Sequence, residues 1–218
     1  MCMILMFGSH KGGVGKSTML IMILIYLMNK RGKKCAILEC DDQRSIKDWA
    51  TERINLGLST IDYFESYTSI ADKARKLNNT YDYVFLDSPG KKSPEFRKGL
   101  SCADVLLSFI DPTAQIEINT LAQLVADVKE AQTLNTKLSA WLILNRCPTD
   151  PRDTEASFLR SMLNDDPDWL PVPRQRIFYR KAYKTAYNTG MGVHEYNDKS
   201  RNKARAEIEL LVKELKII

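Results

Sequence analysis

Strand-length apolar runs alternate with helix-length amphipathic stretches along this chain. Cys2–Phe7 is continuously apolar, which predicts a central parallel strand covered on both faces. Met19–Met28 is apolar on every side, yet spans ten residues, where a membrane crossing needs about 20. A helix from about Lys16 to Lys30 is therefore expected, buried against a sheet. Gly32 stops it, and Lys30, Arg31, Lys33 and Lys34 place positive charge at its C-terminal end. Cys35–Cys40, Tyr83–Asp87, Asp104–Ile110 and Ala140–Leu144 read as further strands, with Gly57–Ile61 as a short one. Helices are expected at Ile70–Leu77, Thr120–Leu134, Glu155–Leu163 and Lys203–Ile218. Leu121, Leu124, Val125 and Val128 recur at helical spacing, as do Ile208, Leu211, Val212 and Leu215. The alternation gives an α/β fold with a mostly parallel sheet flanked by helices. A single domain over residues 1–218 is long enough to bury a real core, and no repeat or low-complexity linker divides it.

Between the first strand and the first helix lies His10-Lys11-Gly12-Gly13-Val14-Gly15-Lys16-Ser17-Thr18, with three glycines and two lysines. A glycine-rich turn there is a phosphate cradle: backbone N–H groups point inward and the helix N-terminus adds partial positive charge. Lys16 would reach the β- and γ-phosphates, and Ser17 would ligate Mg²⁺ through its hydroxyl. His10 stands where the ordinary P-loop has its first glycine, and Lys11 is an additional lysine.

Acidic residues end two of the strands. Tyr83-Val84-Phe85-Leu86-Asp87 is a β-rich run whose terminal aspartate suits Mg²⁺, directly or through water. Glu39-Cys40-Asp41-Asp42-Gln43 follows the second strand, where carboxylates of a parallel sheet face a ligand crevice. Asp41–Asp42 also fits a solvated turn, and Asn145-Arg146 also fits a plain strand end.

The sequence Lys11-Gly12-Gly13-Val14-Gly15-Lys16-Ser17 is the deviant Walker A pattern, and here the chain resembles the ParA/MinD family of dimerising P-loop ATPases. The resemblance implies a P-loop NTPase fold, ATP with Mg²⁺, and nucleotide contacts from Lys11 through Thr18. It implies that Lys11 reaches the partner's phosphates across a nucleotide sandwich, and that Asp41 orients the attacking water. It places Asn145, with Arg146 beside it, against the adenine. Ser88-Pro89-Gly90 corresponds to the family's γ-phosphate-sensing turn, with Gly90 a departure; Lys91 and Lys92 after it are expected to be exposed. Glu39 replaces the usual aspartate, and its longer side chain would alter how Mg²⁺-bound water is held. Two further stretches, Ser45…Asp48-Trp49-Ala50…Arg53 and Ile177…Arg180…Gly190…Val193…Glu195, are similar to small plasmid partition members. With the motif inside the first residues, no regulatory helix pair is expected ahead of it.

Composition is that of a soluble globular protein, 44% hydrophobic and 27% charged, with net charge +5. The mild basic balance favours an acidic partner such as DNA. Arg180, Lys181 and Lys184 lie in a basic aromatic segment, and Arg201, Lys203 and Arg205 form a second cluster; both also fit solvated faces. Five cysteines include no CxxC pair and argue against an iron–sulfur relative; Cys2, Cys35 and Cys40 read as small buried hydrophobes of a reducing compartment. The N-terminus lacks a basic n-region and a small-residue cleavage site. The family's chemistry then implies a cytoplasmic, nucleoid-associated ATPase that dimerises on ATP, binds DNA without sequence preference and works with a ParB-like adaptor in plasmid partition. A MinD-like membrane-cycling ATPase would need the C-terminal helix to leave for lipid, but Glu207, Glu209 and Glu214 interrupt its charge. An ATP-switched accessory factor of conjugative transfer is the remaining alternative, and a ligase or reductase finds no second substrate motif.

Overall fold

The computed structural model describes all residues except 1, 91–92, 115–117 and 200, so Lys91 and Lys92 lie outside the described residues. In chain order the elements are β1 (Met3–Phe7), α1 (Lys16–Arg31), β2 (Cys35–Glu39), α2 (Ser45–Asn55), β3 (Asp62–Glu65), α3 (Ile70–Asn78) and β4 (Tyr83–Asp87). They continue as α4 (Pro94–Leu100), β5 (Val105–Ile110), α5 (Ile118–Leu134), β6 (Ser139–Leu144), α6 (Glu155–Asn164), α7 (Lys181–Asn188) and α8 (Arg201–Glu214). The strands form one parallel sheet in the order β3-β2-β4-β1-β5-β6.

Strict alternation divides the central strands between two cores. Leu5, Phe7, Ile37, Phe85, Leu107 and Phe109 face α1, α7 and α8. Ile4, Met6, Leu38, Val84, Leu86 and Leu106 face the opposite layer, which contains α3, α4, α5 and α6. Phe7 stacks between Phe85 and Phe109 at 5.8 and 6.0 Å. Helix α1 is apolar all round because it is covered all round: the sheet lies on one side, with α7 and α8 on others. Each of its buried Leu, Ile and Met side chains contributes about 1.5–3 kcal/mol. Gly15 starts this helix at φ 90° and Gly32 ends it at φ 62°, with the Gly32 N–H returned to Leu27 and Met28.

The short strand sits later than expected, at Asp62–Glu65 rather than Gly57–Ile61. Gly57 adopts φ 67° and donates to the Ile54 carbonyl, so it closes α2 and cannot begin a strand. Cys35 and Cys40 are buried, whereas Cys2 is exposed, contrary to expectation.

The two stretches around Arg53 and Glu195 meet. Arg53 is 2% exposed and forms a bidentate pair with Glu195 at 2.8 Å for both bonds. It also donates to the carbonyls of Gly190 (2.9 Å) and Ser59 (2.6 Å) and lies over the Trp49 ring. A Cβ at residue 190 would come within 2.6 Å of the Arg53 backbone, and φ there is +62°. This buried clamp joins α2 to the segment before α8. Burial alone would raise the Glu195 carboxyl, but the Arg53 guanidinium outweighs it and holds the group below its ordinary 4.5. Arg53→Ala should cost about 3–5 kcal/mol by leaving a buried carboxylate unpaired, measured by denaturant unfolding. Because the folded value is depressed, the pair's contribution is present above pH 4.5 and is lost as pH falls through that lower value. The wild-type stability curve should therefore fall more steeply on acidification than that of Glu195→Gln.

Candidate nucleotide site

The sheet register brings the motifs together. Phe7 pairs with Asp87, and Asp87 pairs with Glu39, so the loops after β1, β2 and β4 leave neighbouring strands at one level. Their residues line a cavity of about 510 Å³ that includes Gly12, Gly13, Gly15, Lys16, Ser17, Thr18, Asp41 and Gln43, with Arg146 added from the loop after β6. Pro89 and Gly90 form another part of its wall. A Cβ at residue 90 would lie 2.9 Å from the Gly12 Cα and 3.0 Å from the Lys16 Nζ. Glycine there lets the turn after β4 rest on the phosphate loop.

Ser17 Oγ donates to Asp87 Oδ2 at 2.7 Å. Burial lifts the Asp87 carboxyl to about 7, against the opposing pull of Ser17 and Lys16. Burial likewise lowers the Lys16 ammonium, while Asp87 and Asp41 hold its proton on. Among the described residues, Asp87 Oδ1 is a buried oxygen with no hydrogen-bond partner. One carboxylate with an unused oxygen beside one hydroxyl fits Mg²⁺, which keeps several waters and takes its other ligands from phosphates.

Both Glu39 oxygens accept hydrogen bonds from within the chain. One accepts the Ile46 N–H at 3.0 Å and the other the Tyr63 hydroxyl. Glu39 thus supplies the missing acceptor at the N-terminus of α2, and burial raises its carboxyl despite these bonds. It anchors the end of the loop that carries Asp41, whose own Oδ1 accepts the Gln43 N–H at 3.1 Å.

Lys11 is exposed and does not line the 510 Å³ cavity. The residues around it are fixed: Ser9 Oγ donates to the Lys11 carbonyl at 2.6 Å, and His10 pairs with Asp127 of α5 at 3.3 Å. Asn145 is 3% exposed and donates its amide to the Val14 carbonyl at 2.7 Å, bracing the phosphate loop from below. A second cavity, of about 590 Å³, opens beyond Gly15 and Thr18 between Asn145, Arg146 and the segment from Phe178 to Asn188.

Residues 5–193 match the family of CobQ/CobB/MinD/ParA nucleotide-binding domains. The chain belongs to that family. Within it, the chain is 26% identical to the Protein ParA of Rhizobium radiobacter over 214 residues, covering 93% of this chain and 90% of that protein. Apo McdA of Cyanothece has a TM-score of 0.72 at 16% identity, covering 97% of this chain and all of that one. A putative plasmid partition protein of Borrelia burgdorferi B31, solved with AMPPNP, has a TM-score of 0.70 at 20% identity with both chains fully covered. At such identities these structures establish the ParA/MinD P-loop NTPase fold.

The basic segments divide in two. Arg180 donates to Glu207 at 2.6 Å, Arg205 to the Val193 and His194 carbonyls, and Arg201 to the Tyr196 carbonyl. Lys181, Lys184 and Lys203 face solvent, the first two at the mouth of the 590 Å³ cavity. Sequence reasoning missed Tyr187, which lines both cavities and donates to the Ser45 carbonyl at 2.8 Å. It also missed the acceptor role of Glu207, which burial raises and Arg180 and Tyr183 oppose. Neither belongs to a contiguous motif.

Asn145→Ala should leave the Val14 carbonyl without its donor and loosen the phosphate loop. The expected result is roughly tenfold weaker binding of a nucleoside triphosphate, from the usual cost of an unmade buried hydrogen bond. Titration calorimetry against wild type reads it directly.

Proposed function

We propose that this ParA/MinD-family protein is a Mg²⁺-dependent ATPase that dimerises on ATP, binds DNA without sequence preference and drives plasmid or DNA partition with a ParB-like adaptor. The observation that carries the reading is the convergence of Lys16, Ser17 and Asp41 on one cavity, with the buried Asp87 bonded to Ser17 behind its wall. Gly12 through Thr18 would cradle the phosphates with backbone N–H groups, and Lys16 would neutralise the β- and γ-phosphates. Ser17 and Asp87 would hold Mg²⁺, which supplies positive charge against the triphosphate. Asp41 would orient the attacking water, and phosphoryl transfer asks for little beyond such positioning and charge. Asn145 and Arg146 belong to the nucleotide contacts in this reading, Asn145 through the loop it braces.

Lys11, exposed at the edge of the cleft, is suited to reach a second subunit's phosphates. The DNA face narrows to Lys181, Lys184 and Lys203, because Arg180, Arg201 and Arg205 have intrachain acceptors. A two-fold dimer would double that patch. The membrane-cycling alternative asks α8 to leave the protein. Ile208, Leu211 and Val212 of that helix are fully buried, and Tyr83 donates to the Ile217 carbonyl at 2.6 Å. These contacts favour a docked helix over one released to lipid; in this reading the protein works in the cytoplasm on the nucleoid. Among the described residues, no helix is long and apolar enough to cross a membrane.

Lys16→Ala should abolish ATP binding, whereas Asp41→Ala should keep it and lose about a hundredfold in hydrolysis, the scale of a positioned proton-transfer group. Calorimetry and phosphate release check the two together; an Asp41→Ala protein with normal turnover removes that residue from catalysis. For DNA, Lys184→Ala with Lys203→Ala should flatten the dependence of log affinity on log salt by roughly two units. Mobility shifts across a salt series, with ATP and with ADP, read that slope. Wild type that binds no DNA in any nucleotide state would remove the DNA part of the reading.

A further inference from the structure

The phosphates lie over Lys16 in the proposed reading, so the rest of the nucleotide falls in the neighbouring cavity beyond Gly15 and Thr18. The outer wall of that cavity is the loop before α7 and α7 itself. These are weak elements: α7 has eight residues and buries Ala182, Tyr183 and Ala186. A helix that short does not hold its own place in water.

Glu207 of α8 supplies the hold. Glu207 is 6% exposed, and three donors of the wall converge on its carboxylate. The Phe178 N–H donates at 3.2 Å, Arg180 Nε at 2.6 Å and the Tyr183 hydroxyl at 2.9 Å. Phe178 is further gripped by the guanidinium groups of Arg176 and Arg180 over its ring. A buried carboxylate is costly to desolvate and is not needed to dock α8, whose Ile208, Leu211 and Val212 already do that. The inner edge of the wall is held separately, by Tyr179 N–H to the Cys147 carbonyl at 2.8 Å and Cys147 N–H to the Ile177 carbonyl at 2.9 Å. None of the bonds just named involves a residue of the phosphate loop.

We propose that Glu207 is a positioning residue for the nucleoside half of the ligand: it sets the wall that receives base and ribose, and leaves the triphosphate cradle alone. The proposal rests on the nucleotide reading above. Arg180 belongs to this device, as the cation that completes the pair, ahead of any role toward DNA.

The test compares the full-length wild type, Glu207→Gln and Arg180→Met for binding of ATP and of inorganic tripolyphosphate, both with Mg²⁺, by calorimetry. Gln keeps the shape and one acceptor oxygen but loses the charge; Met keeps the Arg180 stem and removes the guanidinium. Both variants should bind ATP about tenfold more weakly, the scale of a lost charge-assisted bond, with tripolyphosphate changed by less than about twofold. Equal weakening of both ligands would overturn the proposal, because it would mark a general loss of structure. Unchanged ATP affinity would overturn it as well. If Glu207→Gln does not fold, Arg180→Met decides on the same two criteria. Wild type that binds neither ligand would reject the nucleotide reading itself, a result distinct from either failure of the variants.

Discussion

Asp87 is a buried carboxylate with one oxygen bonded to Ser17 at 2.7 Å and the other without a hydrogen-bond partner among the described residues. Burial lifts its carboxyl to about 7, and the Lys16 ammonium nearby is pushed down by the same loss of water. An arrangement of this kind is poor for stability by itself. In the proposed function it is a half-built ion site, completed when a cation and a polyanion arrive together. The rest of the fold serves to hold it. The parallel register sets Asp87 level with Phe7 and Glu39, the phenylalanine stack fixes β1 between its neighbours, and α1 projects Lys16 and Ser17 from Gly15.

The loops that complete the site are secured by polar side chains rather than by apolar packing. Glu39 holds the start of α2, and with it the loop of Asp41. Asn145 holds Val14, and Glu207 holds the segment around Phe178 and Tyr183. Each is largely or wholly buried and placed one layer behind a ligand-facing residue. Such bonds are directional, so they fix a loop's position more sharply than apolar contact does. Glu39 belongs to this set: its carboxylate accepts from the first turn of α2, which has no side-chain cap of its own, and from Tyr63.

Much of the fold and the phosphate cradle could be read from the chain because both are written locally. The runs Ile4–Phe7, Cys35–Leu38 and Tyr83–Leu86 are covered on both faces and so are apolar without interruption. The cradle is contiguous, and its flanking strand and helix confirm its order. What could not be read depends on distant partners. The short helices α2, α4 and α7 expose much of their surface and owe their places to neighbours. The edge strand Asp62–Glu65 is polar because it pairs on one side with β2, and Gly57 is a helix stop rather than a strand start. The Arg53 and Glu195 stretches were visible as separate patterns, but their meeting requires the chain to fold across 142 residues. Three of the arginines expected on a DNA face are instead tied to acceptors contributed by α8 or by the segment ahead of it, a use that charge patterning cannot distinguish from solvation.

The central claim is that the Ser17–Asp87 pair is a cation site coupled to a triphosphate cradle. Equilibrium binding of ATP, measured with Mg²⁺ and with the metal chelated, tests it most directly. The account predicts that Mg²⁺ strengthens ATP binding by at least about tenfold, since without it the Asp87 carboxylate faces the phosphates uncompensated. Equal affinity with and without Mg²⁺, in a folded protein, would contradict it.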